Sequence, residues 1–586
     1  TVDYFANGNA SLKRDIQSVI HDTIDAKEYG SIIQIAPVDF DVLFARFDEI
    51  KNDVNLYRNM AMDDLLPLVR EAKILADKYA VVATNPPYLN KFDAKLKKYI
   101  ADNYADYKGD LFSVFIYRDF GFCKKDGYSG FMTPMVWMFI KTYEPLRNFV
   151  LRNKAITTLI QFEYSAFEEA TVPICSFVLK NGKADRKGEY FRLSDFTGGM
   201  EVQRKRVKEA LENPGCGFFY ESAQSNFSKI SGSPIAYWCS SKFVNMFNGA
   251  KVSDYAQVQE GLKTGDNERF IRFWYEIDFT KTYMNKSQNP KWFYHTKGGG
   301  QRKWYGNQLD VLNFESDGNE LQAFRGSSLT GKSNYLKKNI TYSRITSGKT
   351  SFRYTDDGSI PNMAGLALYP QDRLYYILAW LNTKIVSEIL AVTNPTINFP
   401  PGTIAKLPIC MEYDAIDLIE SIAKENVEIA REDWNDFELS WEFVKNPLIL
   451  QTATISSAFS AWKEKCELLF SRMKSNEETI NKYFIDAYGL QEEFCPDVEE
   501  KDVSVRISDL QRDIKSLVSY AVGCMMGRYS LDVDGLAYAG GDWDSSKYKT
   551  FIPDKDAIIP ITDDEYFKDD IVGRFVEFVR TVYGAG

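Results

Sequence analysis

Histidine is almost missing from this chain: His21 and His295 are the two among 586 residues. Histidine triads, two-histidine metal sites and histidine general bases therefore have almost nothing to build on, and both residues are read as structural. The eight cysteines are scattered, with no Cys-x-x-Cys pair. That spacing argues against a disulfide framework or a zinc site and fits a reduced, cytoplasmic setting; no metal site is expected. No apolar run approaches the roughly 18 residues of a membrane span. No basic-then-apolar segment opens the chain, so no membrane partner is expected. Pro496-Asp497 and Glu500-x-Asp502 lack the wide spacing of a nuclease site.

What is present is a large, aromatic-rich chain. It is 45% hydrophobic and 15% aromatic, enough for several cores and three or four domains. The net charge of −10 is unevenly spread. Residues 411–586 carry −17, which leaves +7 on residues 1–410. Residues 281–353 hold 13 Lys/Arg against 4 Asp/Glu. A basic middle beside an acidic tail is compatible with binding double-stranded DNA through one surface; a solvated basic face is the alternative.

The chain is organised around Thr84-Asn85-Pro86-Pro87-Tyr88. Tyr79-Ala80-Val81-Val82-Ala83, just before it, reads as a buried strand. Two prolines cannot continue a strand and force an extended turn. Asn85 and Tyr88 are thereby placed at the carboxyl end of a strand, where open α/β sheets bind ligands. Methyl transfer to an exocyclic amine needs such residues. The amine's lone pair is delocalised into its ring. The Asn85 side-chain oxygen and the Pro86 carbonyl can each accept one N–H, drawing the nitrogen towards sp3 and exposing the lone pair. Pro87 helps to fix the carbonyl direction, and Tyr88 offers a face on which a planar base stacks. No titrating base is required; the catalysis is positioning and preorganised electrostatics. A duplex base must first flip out, which costs a few kcal/mol, and aromatic stacking returns roughly 1–3 kcal/mol.

Asn-Pro-Pro-Tyr after a hydrophobic strand resembles the catalytic motif of amino-group methyltransferases acting on adenine N6 in DNA. The same four residues occur in glutamine-directed protein methyltransferases, so the motif alone leaves the substrate open. A methyltransferase of this type carries a Gly-rich turn that cradles S-adenosylmethionine and an acid for its ribose. Neither precedes residue 79, and Phe5-Ala6-Asn7-Gly8-Asn9 is a poor substitute. The chain is therefore expected to begin inside the catalytic domain, to bind S-adenosylmethionine weakly or not at all by itself, and to be inactive alone.

The order of elements gives an α/β fold class. Residues 1–78 read as mainly helical, clearest at 11–25 and 61–77. After the motif come a helix opening at Asp110-Leu111-Phe112, a strand at 127–134, a helix at 137–153, and strands at 156–162 and 172–180. This is the C-terminal half of a Rossmann-like methyltransferase sheet, a partial methyltransferase domain spanning residues 1–180. Residues 181–250 form a connector with a basic helix, 201–211, around Arg204-Lys205-Arg206-Val207-Lys208. Residues 251–410 are expected to form an α+β domain that resembles, through residues 261–267, a target-recognition domain. It contains an exposed strand at 340–349, a basic flexible loop at 297–305 and a helix at 374–390. Residues 411–586 form a mostly helical domain, with helices at 415–438, 457–488 and 509–527.

Gly261-Leu262-Lys263-Thr264-Gly265-Asp266-Asn267 resembles the stretch that opens recognition domains of restriction–modification specificity proteins. The tail, through Asp513 to Asp532 and Gly535 to Gly541, resembles the adenine methyltransferases of bacteriophage-exclusion (BREX) systems. The resemblance implies a site-specific, S-adenosylmethionine-dependent DNA adenine-N6 methyltransferase working with other phage-exclusion proteins. It also admits acidic DNA-mimicking phage inhibitors as partners. In that reading Asn85, Pro86, Pro87 and Tyr88 are catalytic, Phe167 is the second wall around the flipped base, and Asp110 lies on the cofactor side. Lys263, Thr264, Asp266, Asn267, Arg269, Arg302, Lys303, Arg344, Ser347 and Lys349 contact DNA. The acidic tail is an interaction or clamp module. Two other readings stay open: half of a fused restriction–modification enzyme, and a non-catalytic DNA-reading scaffold.

Overall fold

The computed structural model describes residues 1–164, 172–394, 396–411, 415–450 and 452–584. The chain divides into two compact units, Thr1–Val244 and Asn245–Gly586.

In the first unit, helices α1 (Ala10–Asp22), α2 (Phe40–Ile50) and α3 (Leu66–Ala76) bury one apolar face each. Leu12, Ile16, Leu43, Phe47 and Val69 meet there in a common core. The Phe5-Ala6-Asn7-Gly8-Asn9 segment is a helix–helix turn: Asn7 and Gly8 take positive φ and the Asn9 side chain caps α1. Strand β1 (Tyr79–Thr84) follows, then α4 (Ala94–Asn103), α5 (Leu111–Phe122) and β2 (Cys123–Pro134). Next come α6 (Glu144–Asn153), β3 (Ala155–Gln161), β4 (Ile174–Lys180), β5 (Gly188–Arg192), α7 (Gly199–Glu212) and β6 (Phe219–Ser222).

The six strands form one sheet in the order β1-β2-β4-β3-β5-β6. β1 and β2 run parallel, with α5 in the connection between them, as a parallel pair requires. β4 inserts between β2 and β3, antiparallel to both. β1 to β4 are the strands expected of the α/β sheet, and β5 and β6, from the stretch read as a connector, extend it. Gly127 lets β2 approach β1 closely: a Cβ there would lie 2.6 Å from the Ala80 carbonyl oxygen. Two expectations are corrected. β1 is not buried: among the described residues it ends the sheet, with Tyr79 38% and Val81 65% exposed. The helix expected from residue 137 starts at Glu144, with Pro145 in its first turn. Proline favours that position because its missing N–H would have no helical partner. Residues 135–138 and 141–143 are 3-10 turns instead. The buried Arg147 of α6 holds these turns through the carbonyls of Trp137 (2.8 Å), Ile140 (2.7 Å) and Gly232 (2.7 Å).

The second unit has two four-stranded sheets. One is formed by β8 (Ile271–Phe273), β9 (Trp292–Thr296), β10 (Asp310–Asn313) and β13 (Ser359–Pro361). The other comprises β7 (Ala256–Gln259), β11 (Asn339–Ser343), β12 (Phe352–Thr355) and β14 (Gly365–Pro370). β11 is not exposed as expected: it lies between β12 and β14 and all five of its residues are buried. The single helix expected at 374–390 is two, α8 (Leu374–Leu381) and α9 (Lys384–Thr393). They are separated by Asn382 and Thr383, whose hydroxyl caps α9. The long tail helices α10 (Ile416–Asn435), α11 (Ile455–Ala487) and α12 (Leu510–Met525), with α13 (Ile571–Tyr583), lie close to their expected bounds where bounds were read. Among the described residues no single helix is long and apolar enough to cross a membrane.

The sheets and the acidic helices of this unit are joined by buried ion pairs. Arg302 reaches Asp433 of α10 (2.6 Å), and Lys303 reaches Glu477 of α11 (2.7 Å). The Trp304 indole donates to the same Glu477 carboxylate (2.7 Å). Removing one partner of a buried pair strands the other charge and costs about 3–5 kcal/mol, whereas an apolar replacement of similar volume is milder. Arg302→Ala is expected to destabilise the second unit by about that amount and Arg302→Met by less. Denaturant unfolding checks this, and equal losses from both variants would contradict it.

Candidate active site

The backbone leaves the sheet at the carboxyl end of β1, where Thr84 is paired with Phe131 of β2. Asn85 follows, exposed, then the buried Pro86 and the exposed Pro87 and Tyr88. Neither proline has an N–H, so this turn cannot hold itself by its own backbone donors. It is held from outside. The Tyr88 hydroxyl shares its proton between Asn85 Oδ1 (3.1 Å) and the Met132 carbonyl of β2 (3.2 Å). Its ring stands edge-on to Phe112 of α5, centroids 6.5 Å apart at 87°. Partial burial pushes the Tyr88 phenol up, which keeps it a neutral donor. Leu89 is fixed on both sides: its N–H donates to Asp110 Oδ1 (3.0 Å) and its carbonyl accepts from Leu111 N–H (2.8 Å).

The result is an amide oxygen and a carbonyl at one strand end with a tyrosine ring beside them. Among the described residues no donor reaches the Pro86 carbonyl. Asn85 Oδ1 has two lone pairs and can take a second donor beside the Tyr88 hydroxyl. The arrangement can accept two N–H groups of an amine and stack its ring. Phe167 lies outside the described residues.

Asp110 is buried, and the same oxygen that meets Leu89 also accepts from Phe112 N–H (3.2 Å), capping α5. Burial pushes its carboxyl up, against the pull of the Phe112, Leu89 and Leu111 N–H groups. One oxygen of this carboxylate, Oδ1, thus meets two backbone donors.

Sequence reasoning did not single out Glu163. It follows β3, is 4% exposed, and accepts from the N–H groups of Gly198 (3.3 Å) and Gly199 at the start of α7. That bond ties α7 to the same end of the sheet as Asn85, because Gln161 of β3 pairs with Cys175 of β4 and Thr133 of β2 pairs with Cys175 too. The exposed Arg204, Lys205 and Lys208 lie on α7. A pair of glycines preceding a helix was the only signal in the sequence that an outside carboxylate would be needed as cap.

In the second unit the expected DNA-contacting residues divide. Lys263 and Ser347 are exposed. Thr264 is buried and donates to Asn267 (2.6 Å), while Asp266 caps the turn at Arg269 N–H (3.1 Å). Arg269 pairs with Glu320 (2.6 Å), Arg344 with Glu260 (2.8 Å) and Lys349 with Asp502 (2.6 Å), all at least partly exposed. Arg302 and Lys303 are corrected: they are interior ion-pair residues, unavailable to phosphates, and their segment is not a free loop, since Trp304 and Tyr305 are fully buried. His295 is also interior. Nδ1 contacts the Ile360 carbonyl (2.7 Å) and Nε2 the Asn362 amide (3.0 Å), and burial pushes it down to about 4.

The family model for the Eco57I restriction-modification methylase matches residues 17–167. The chain is 38% identical over 555 residues to the adenine-specific methyltransferase PglX of Lacticaseibacillus casei (strain Zhang), covering 89% of this chain and 46% of that protein. It is 32% identical over 595 residues to the adenine-specific methyltransferase BrxX of Escherichia coli O9:H4 (strain HS), covering 95% and 48%. The chain thus spans about half the length of these relatives. Among solved structures, the type IIL restriction-modification enzyme MmeI in complex with DNA aligns loosely, at a TM-score of 0.41 and 11% identity over 70% of this chain and 54% of that one.

Losing an N-cap acceptor costs about 1 kcal/mol. Glu163→Ala is therefore expected to speed amide exchange several-fold over residues 200–204 and leave β3 unchanged. Exchange read by mass spectrometry checks this; an unchanged α7 would contradict the capping role.

Proposed function

This chain is homologous over nearly all of its length to the adenine-specific methyltransferases PglX and BrxX, and on that premise we propose that it is the amine-binding and sequence-reading portion of a site-specific DNA adenine-N6 methyltransferase. The observation that carries the reading is the Asn85–Pro86–Tyr88 geometry: one free carbonyl, one amide oxygen with a spare lone pair, and a tyrosine ring, fixed together at a strand end.

In this reading a flipped adenine stacks on Tyr88. Its N6 hydrogens go to Asn85 Oδ1 and the Pro86 carbonyl. Both acceptors are neutral, so they hold the amine without stripping its proton first. The nitrogen lone pair is drawn out of the ring and points away from the two acceptors. S-adenosylmethionine supplies an electrophilic methyl group when bound. After transfer the amine gives up one proton to solvent. Removing one preorganised hydrogen-bonding group, a donor of an oxyanion hole, costs about 10²–10³ in rate, and the same order is taken for these acceptors.

Lys263, Ser347, Arg344, Arg269 and Lys349 are the DNA-facing set of the second unit. The last three exchange surface ion pairs for phosphates or base edges at modest cost, since exposed pairs contribute about 0–1 kcal/mol. The exposed Arg204, Lys205 and Lys208 of α7 add phosphate contacts from the first unit. The tail's resemblance to bacteriophage-exclusion methyltransferases supports a role in phage defence, with double-stranded DNA and other exclusion proteins as partners.

In the full-length protein, Asn85→Ala is expected to lower methyl incorporation into DNA by at least about 10² while DNA affinity stays within about twofold. Radiolabelled methyl transfer and fluorescence anisotropy measure the two. Methylation retained in Asn85→Ala would remove the catalytic assignment.

A further inference from the structure

A turn of two consecutive prolines has no backbone N–H with which to brace itself. Its geometry must be imposed at its two ends. The upstream end, Thr84, is set by pairing with Phe131 of β2. The downstream end is Leu89, and its N–H goes to Asp110 Oδ1 at 3.0 Å. The Leu89 carbonyl meets Leu111 N–H at 2.8 Å, so both bonds come from the first residues of α5. The same helix start presents the Phe112 ring to the Tyr88 ring. Asp110 lies 21 residues beyond Leu89 and is only 7% exposed, so its carboxylate is not a surface group that happens to be near.

On the premise of amine methylation at Asn85, we infer that Asp110 is the positioning residue of the Asn85–Tyr88 turn, acting through the Leu89 N–H and not through a bound nucleoside. Its oxygen holds the helix start and the loop end in one place. The Pro86 carbonyl and the Asn85 amide are thereby aimed at a common point. The carboxylate does this as a hydrogen-bond acceptor, and its charge is not the essential property. Asparagine at this position keeps an oxygen acceptor for both N–H groups and is as good an N-cap as aspartate. Alanine keeps neither.

The test uses Asp110→Asn and Asp110→Ala in the full-length protein. Misplacing reacting groups by about 1 Å costs on the order of 10² in rate. Asp110→Ala is expected to lower kcat by about 10- to 100-fold with little change in KM for DNA or methyl donor. Asp110→Asn is expected to stay within about threefold of the parent, because the hydrogen bonds are restored. Amide exchange at Leu89, which needs no activity, is expected to quicken at least about fivefold in the alanine variant and to be unchanged in the asparagine variant. An asparagine variant as slow as alanine, with a raised KM for the methyl donor, would instead make Asp110 a charged cofactor contact. Leu89 exchange equally slow in alanine and parent would overturn the positioning role whatever the activity. A parent protein that transfers no methyl group to adenine would overturn the methylation reading and leave the exchange result to decide the role of Asp110.

Discussion

Two adjacent prolines set the terms for the first unit. They stop β1, remove two backbone donors and leave a carbonyl free at the strand end. Everything nearby compensates. β2 supplies the pairing that ends at Thr84 and the Met132 carbonyl that receives the Tyr88 hydroxyl. α5 supplies the cap that receives Leu89 and the ring that abuts Tyr88. The core beneath, with Phe131, Trp137, Phe177 and Leu159 fully packed, keeps β2 and α5 at fixed spacing. The site is therefore a property of the β1–α5–β2 unit, and the amide of Asn85 is only its exposed tip.

The second unit rests on a different constraint, which is charge. Its basic segment and its acidic tail look in sequence like two surfaces with two purposes. In the structure part of that charge is mutual: Arg302, Lys303 and Lys349 pair with carboxylates of the tail, and other tail carboxylates pair within the tail itself. Asp433 receives Arg302 and Arg506, Glu477 receives Lys303 and the Trp304 indole, and Glu425 receives Arg472 and Asn476. Arg506 also lies over the Phe437 ring, 3.4 Å from its centroid. Asp433 and Glu477 are thus internal counter-charge for Arg302 and Lys303. Of the residues expected to meet DNA, Lys263 and Ser347 stay exposed and Arg269, Arg344 and Lys349 sit in surface ion pairs, whereas Arg302 and Lys303 are interior.

The pattern of elements was legible where period and punctuation agree. α10, α11 and α12 carry long helical spacings, the last two opened by the caps Thr454 and Asp509, and β3 and β4 are largely apolar runs between turns. The Asn-Pro-Pro-Tyr turn was legible because its residue types have few other uses. Three kinds of feature were not legible. Burial of β1 was misread because an apolar run does not say whether both sides of a strand have neighbours. β11 failed in the opposite sense, since alternation in its sequence conceals that strands flank it on both sides. Arg302 and Lys303 were placed on the wrong side of the surface because their partners, Asp433 and Glu477, lie 131 and 174 residues away in sequence. Asp110 reads as a helix cap from its position before Leu111; its second bond, to Leu89, exists only in three dimensions.

The central claim is that this fold prepares adenine N6 for methylation at a defined DNA sequence. Single-molecule sequencing of genomic DNA from cells with and without the full-length gene tests it most directly. The account predicts one sequence motif carrying N6-methyladenine that disappears on deletion. Genomes with no modified adenine that depends on the gene would contradict it and would turn attention to a non-catalytic DNA reader or to a protein amide as the methyl acceptor.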